Sequence, residues 1–214
     1  MLIARPATPG LWFDSSVRLN LGAARIIKSY GYIGVVRYWP LPGNLLGEDL
    51  AAPELLLLTK DAGLQVMGIQ HTRYAPWDPT NHDGYKDAQV CLEWADQAEY
   101  PNGAHVWCDF EGIKPGVTSA VCKTYIEDFG RGVREGERPC GMYCGFDDPL
   151  TPEELYLLHG INSYWSDAGH RKVATRGVSM SQGPQITVDG VPIDSDQLQK
   201  DLLGEVPYAA TWID

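Results

Sequence analysis

The stretch AHVWCDFEG, residues 104–112, sorts its side chains into two unlike rows. Val106, Cys108 and Phe110 make one row, all apolar, because alternate residues of a strand point the same way. Trp107, Asp109 and Glu111 make the other. An apolar row of this kind suits a sheet covered by helices. Two acids on the opposite side are costly to bury unless they line a solvated cavity. They also stand at the C-terminal end of the strand, where barrel active sites are built.

Working outward, the same short apolar strands recur as LWFDSS (11–16), IGVVRYW (33–39), LQVMGIQ (64–70) and GMYCGF (141–146). Helical stretches separate them. Leu19, Ala23, Ile26 and Ile27 recur at helical spacing, with Gly31 as the stop. Residues 48–62 carry a Leu-rich face ending at Gly63, and 85–98 and 117–134 read as two further helices. Thr151-Pro152-Glu153-Glu154 opens a short one with a capping box. Beyond it, NSYWSD (162–167) and GVSMSQ (177–182) read as strands, and 186–194 as a hairpin around Asp189-Gly190. Residues 195–203 read as a closing helix, with Gly204 after it.

Five βα units followed by three β-rich segments predict an α/β, TIM-like barrel in one domain spanning 1–214. The chain has 214 residues, 44% of them hydrophobic, which is ample for such a core. With 17 Lys and Arg against 28 Asp and Glu, the net charge is −11. That balance excludes nucleic acid and anionic membrane as partners, since both require clustered cations. No apolar run approaches the ~20 residues of a membrane span. Pro6 and Pro9 interrupt the N-terminus before any signal-peptide core, so synthesis in the cytoplasm without a cleavable signal is expected. Five cysteines without a C-x-x-C pair read as reduced, mostly buried thiols.

Carboxylates end several of these strands. Asp14 closes the first, Asp167 follows Trp165, and Asp194 and Asp196 share a face in VPIDSD. An Asp just after a strand is also a common helix N-cap. The cap is the preferred reading for Asp196, and the two readings balance for Asp14. Asp109 and Glu111 precede Gly112-Ile113-Lys114-Pro115 rather than a helix start, so capping does not account for them. Convergent acids among Trp and Tyr suit glycoside hydrolysis, with one protonated acid and one ionised partner. Glu111 is the acid expected to keep its proton.

The loop at 71–87 holds His71, His82, Asp78 and Asp83, but its Pro-rich spacing is poor for a metal. No metal or cofactor is expected. Tyr74 and Trp77 read equally well as sugar platforms or as packing. Asp147-Asp148-Pro149 reads as a turn before a capped helix. No G-x-S-x-G elbow, P-loop or Rossmann fingerprint is present, and Cys144 reads as a core thiol.

Asp14, the D-F-E at 109–111, Tyr143, Trp165, Asp167, Gln182 and Asp194 follow the order seen in glycoside hydrolase family 25 lysozymes. The chain resembles more closely the related glycoside-hydrolase-like domain of unknown function. That resemblance implies a barrel of five βα units closed by three strands. It implies Glu111 as general acid, and Asp109 as a charged partner that assists the substrate's acetamido group or positions a water. Asp14 and Asp194 are implied as floor carboxylates, with Tyr143, Trp165, Asp167 and Gln182 binding substrate. The implied activity is a muramidase-like glycosidase cutting β-1,4 links of bacterial peptidoglycan, from a phage or as a secreted effector. Such a monomer would reach the wall after lysis or by signal-independent delivery. Met180-Ser181-Gln182 replaces the family's Trp-Gln-Tyr, and LWFDSS its usual G-[IV]-D-x-S. The alternative is therefore an inactive barrel that binds glycan or protein.

Overall fold

The computed structural model describes residues 1–41, 48–169 and 172–213. Its strands are β1 (Leu2–Pro6), β2 (Gly10–Ser15), β3 (Gly34–Trp39), β4 (Gln65–Gln70) and β5 (Val106–Phe110). They continue as β6 (Cys140–Cys144), β7 (Ile161–Ser166), β8 (Met180–Val188), β9 (Val191–Leu198) and β10 (Tyr208–Trp212). The helices are α1 (Leu21–Ser29), α2 (Ala52–Leu56), α3 (Gly84–Gln97), α4 (Ser119–Glu135) and α5 (Pro152–Tyr156). Each of β2 to β6 is followed by one helix. Strands β2 to β8 pair in parallel in sequence order, and antiparallel β9 joins β8 to β2, closing an eight-stranded barrel.

Two different sets of side chains fill the two sides of this wall. Outside, Phe13, Val35, Val106, Cys108, Phe110 and Met142 pack under helix residues such as Ile27, Ala88, Ile126 and Phe129. Inside, Trp12, Val36, Met67, Ile69, Trp107, Trp165, Met180 and Leu198 form a separate core. Large inward side chains lie over glycines of the next strand. A Cβ on Gly34 would stand 2.5 Å from the Trp12 ring, and one on Gly141 2.4 Å from Trp107. The barrel is thus a packed core with its open space confined to its ends.

Arg37 faces outward from β3 yet is completely buried. Its Nε lies 2.9 Å from Glu54 of α2, and its guanidinium also donates to the Ser15 and Glu48 carbonyls. Breaking this pair would strand a buried charge, so it ties α2 to β3.

Several expectations need correction. Residues 195–198 are the end of β9 rather than a closing helix; the helix-like Leu spacing was outweighed by pairing of Asp196, Gln197 and Leu198 with both β2 and β8. The helix expected over 48–62 starts only at Ala52, behind Pro53 in its first turn, and its second half (Leu57–Asp61) widens to a π-helix. The sequence reading also missed β1 and β10, which pair with each other, β10 adding to β4. The hairpin at Asp189-Gly190 is present, with both residues at positive φ, 50° and 78°. That is the backbone a tight two-residue turn requires. All five cysteines are free and buried.

Candidate active site

At the C-terminal ends of the strands lies a cleft of about 400 Å³ lined by Tyr38, Asp109, Glu111, Tyr143, Phe146, Asp167, Gln182 and Asp194. The inward row of β5 delivers Asp109 as its last full rung, and Glu111 follows as the chain leaves the barrel. Gly112 turns the chain at once (φ 67°), and its N–H donates to the Phe146 carbonyl at 2.9 Å. Space for Glu111 depends on Gly145, where a Cβ would stand 2.3 Å from Glu111 Cβ and Oε2.

Asp109 is only 6% exposed. Its Oδ2 accepts the Thr72 backbone N–H at 3.1 Å, and its Oδ1, fully buried, has no hydrogen-bond partner among the described residues. Burial raises its carboxyl well above the usual range, with Glu111 and Asp14 adding to the shift. Glu111 is half-buried, and burial with the nearby Asp167 charge pushes it up to about 7. The two acids are therefore unequal in environment: one is deep and held by a backbone amide, the other near the mouth. Carboxyls poised near neutrality in a cleft are a recognised signature of acid–base chemistry.

Asp14 lies one layer below. Its Oδ1 accepts the Tyr38 hydroxyl at 2.8 Å and its Oδ2 the Gln182 amide at 3.3 Å. Burial pushes it up to about 7 against those bonds. Gln182 in turn accepts the Tyr143 hydroxyl at 2.9 Å. Asp194 stands at the rim of the cleft, its carboxyl raised by partial burial. Asp167 lines the opposite wall, and its Oδ1 accepts the Gly169 N–H at 3.0 Å.

The structure thus brings Asp14, Asp109, Glu111, Tyr143, Asp167, Gln182 and Asp194 to one end of the barrel. Trp165 is different. It is 1% exposed and sits beneath the floor, its ring edge-on to Tyr143 at 4.8 Å and its Nε1–H donating to Asp196 at 3.1 Å. It therefore cannot touch a ligand in the cleft.

The capping readings fail for both aspartates. Helix α1 is capped by Asn20, whose Oδ1 accepts Ala23 N–H at 2.9 Å, and Asp196 is fully inside the barrel. Trp77 is packing: it is buried against Phe110 and Tyr125, and its Nε1–H donates to the Glu111 carbonyl at 2.7 Å. Tyr74, 74% exposed, lines a smaller hollow of about 240 Å³ that meets the cleft at Glu111 and Phe146.

Sequence reasoning missed Tyr38 and Phe146. Tyr38 was within reach, since it alternates with inward Val36 on β3. Its ring stacks on His71 at 4.5 Å, and burial with nearby Arg37 pushes His71 down to about 4, so that imidazole is neutral. Phe146 lies in the loop after β6, which ends at Cys144, whereas the sequence pattern extends that strand to 146.

Among solved structures, a Tat-secreted protein of Mycobacterium tuberculosis in complex with L-tartrate superposes with a TM-score of 0.66 at 17% identity, covering 92% of this chain and 99% of that one. The spore cortex lytic enzyme SleM of Clostridium perfringens gives 0.63 at 14% identity, over 96% and 70% of the two chains. The catalytic domain of an endolysin from Listeria monocytogenes bacteriophage P40 gives 0.59 at 13% identity, over 90% and 94%. At such identities the likeness is one of fold. No curated protein sequence matches the chain. A family model, the Rv2525c-like glycoside hydrolase-like domain, matches residues 25–175, more than half of the chain. The protein belongs to that glycoside hydrolase-like family.

Proposed function

We propose that this chain is a lysozyme-like glycosidase that cleaves β-1,4 links of bacterial peptidoglycan, working as a single barrel domain over residues 1–214. The observation that carries the reading is the pairing, in one cleft, of Glu111 with the buried Oδ1 of Asp109, which has no hydrogen-bond partner among the described residues. Glu111, poised near neutrality, gives its proton to the glycosidic oxygen as the C1–O bond breaks. Asp109 Oδ1 accepts the acetamido N–H, and the acetamido oxygen bonds to C1 in place of the leaving sugar. Water then opens that ring and returns a proton to Glu111. Asp14, Asp167, Asp194, Tyr143 and Gln182 hold the sugar from the floor and walls. The structural neighbours include cell-wall lytic enzymes, which supports delivery to the wall as the site of action.

The competing reading is a barrel that binds glycan without cutting it. It is favoured by Met180, Ser181 and Gln182 on β8, which supply no aromatic wall. Digestion of purified cell walls by wild type beside Glu111→Gln separates the two. Release of muropeptides by wild type alone supports the glycosidase. Binding without release by either protein, across several wall chemotypes, leaves the binding module.

A further inference from the structure

The proposed chemistry does not use Asp196, yet it is the most deeply buried acid among the described residues, 1% exposed. Its Oδ1 accepts the Trp165 indole N–H at 3.1 Å. Its Oδ2 is buried and receives no N–H or hydroxyl donor among the described residues. The remaining neighbour is Asp14, whose carboxyl lies within hydrogen-bonding reach of the Asp196 carboxyl. The strand register accounts for the meeting: Asp194 pairs with Asp14 across β2 and β9, and Asp196 is the next inward residue down.

An ionised carboxylate only accepts hydrogen bonds, so two of them cannot bond each other without a proton between them. Asp14 already accepts from Tyr38 and Gln182, which favours its ionised form. Asp196 has the single indole donor and the deeper position. We propose that Asp196 is a protonated positioning residue whose O–H donates to Asp14, so that the pair carries one proton and one charge.

The consequence reaches the cleft through hydroxyl polarity. Tyr38 donates to Asp14, and Tyr143 donates to Gln182, whose amide donates to Asp14. Both tyrosine hydrogens are thereby committed to the floor. Each oxygen then offers only lone pairs to a ligand. The floor is built to receive donors, namely sugar hydroxyls and an amide N–H. The titratable groups acting on the pair are Tyr38 from β3, Asp109 from β5, Tyr143 from β6 and Asp194 from β9, none of them a cation. The nearest described cation, Arg37, points out of the barrel and is paired with Glu54, so it does not draw the proton from the pair.

The role assigned to Asp196 in turnover rests on the glycosidase reading, but its protonation does not. Infrared difference spectroscopy of wild type minus Asp196→Asn at pH 8 should show the carbonyl band of a protonated carboxylic acid. Absence of that band overturns the proposal, whatever the activity. In wall digestion, Asp196→Asn keeps a donor to Asp14 and an acceptor for Trp165. It should hold kcat/KM within about threefold, whereas Asp196→Ala, which loses both bonds, should cost about tenfold or more. An Asn variant as impaired as Ala would mean that Asp196 works ionised, and would overturn the assignment. If wild type cuts no wall, the glycosidase reading fails while the infrared result still decides the protonation.

Discussion

One face of β5 carries both ends of the barrel. His105 stands at its start, Trp107 fills the middle, and Asp109 and Glu111 stand at its finish. The lower end has a cavity of about 410 Å³, lined by His105, Ser163 and Tyr208 among others, as large as the upper cleft. Its buried polar groups are nevertheless paired: His105 Nδ1 accepts the Tyr208 N–H at 2.8 Å, and Nε2 meets Ser163 Oγ at 3.0 Å. Since Nδ1 accepts, Nε2 carries the proton and cannot take one from Ser163. The upper end leaves Asp109 Oδ1 and Asp196 Oδ2 without N–H or hydroxyl donors among the described residues. Cavity size does not distinguish these ends; hydrogen-bond satisfaction does. The paired groups of the lower end are accounted for by the fold, whereas these two carboxylate oxygens of the upper end are open to a ligand or a proton.

Mutations at the two ends should therefore fail in different ways. The largest effect expected is on turnover: Glu111→Gln should lower muropeptide release by about a thousandfold or more, with folding retained by circular dichroism. Release at the wild-type rate would remove Glu111 from the chemistry. Asp109→Asn should cost about a hundredfold in kcat with KM within about threefold, because it acts on the reacting group rather than on affinity. A change confined to KM would make Asp109 a binding residue only.

At the lower end, His105→Ala should reduce stability by about 2 kcal/mol, since Ser163 and the Tyr208 amide lose their partner. Activity per folded molecule should be unchanged, and thermal melts beside wall digestion check both halves. Equal loss of activity would erase the division between the ends.

The smallest effect concerns pH, and its sign differs between the ends. Burial pushes His105 down to about 3, so its contribution is present above pH 6.5 and is lost as pH falls toward 3. Glu111 is raised to about 7, so its contribution is present below pH 4.5 and is lost as pH rises through 7. Removing that charge should make Glu111→Gln about 1 kcal/mol more stable than wild type at pH 8, after allowance for solvent screening, with little difference at pH 4. Melting at both pH values tests this. A variant less stable than wild type at pH 8 would show that the Glu111 charge is stabilised rather than strained.

Local periodicity along the chain is enough to read the barrel and to put most of the cleft-lining residues on its inner face. Alternation on AHVWCDFEG separated the helix-facing row from the inward one, and repetition of βα units fixed the parallel wall. Both signals are local periodicities, legible without knowing the partners. The same parity places Asp14, Tyr143, Gln182 and Asp194 inward on their own strands.

Tertiary structure decided what pairing decides. Residues 195–198 carry helical spacing but lie between β2 and β8, whose backbone bonds outweigh local propensity. β1 and β10 are distant in sequence, so their pairing leaves no short-range mark. Depth is equally invisible along the chain. Trp165 and Asp167 alternate on one strand, yet one lies under the floor and the other lines the cleft. Asp194 and Asp196 differ in the same way. Parity gives the side of a sheet a residue faces; how far it lies from water depends on the strands packed around it, which is why Asp194 reaches the cleft and Asp196 does not.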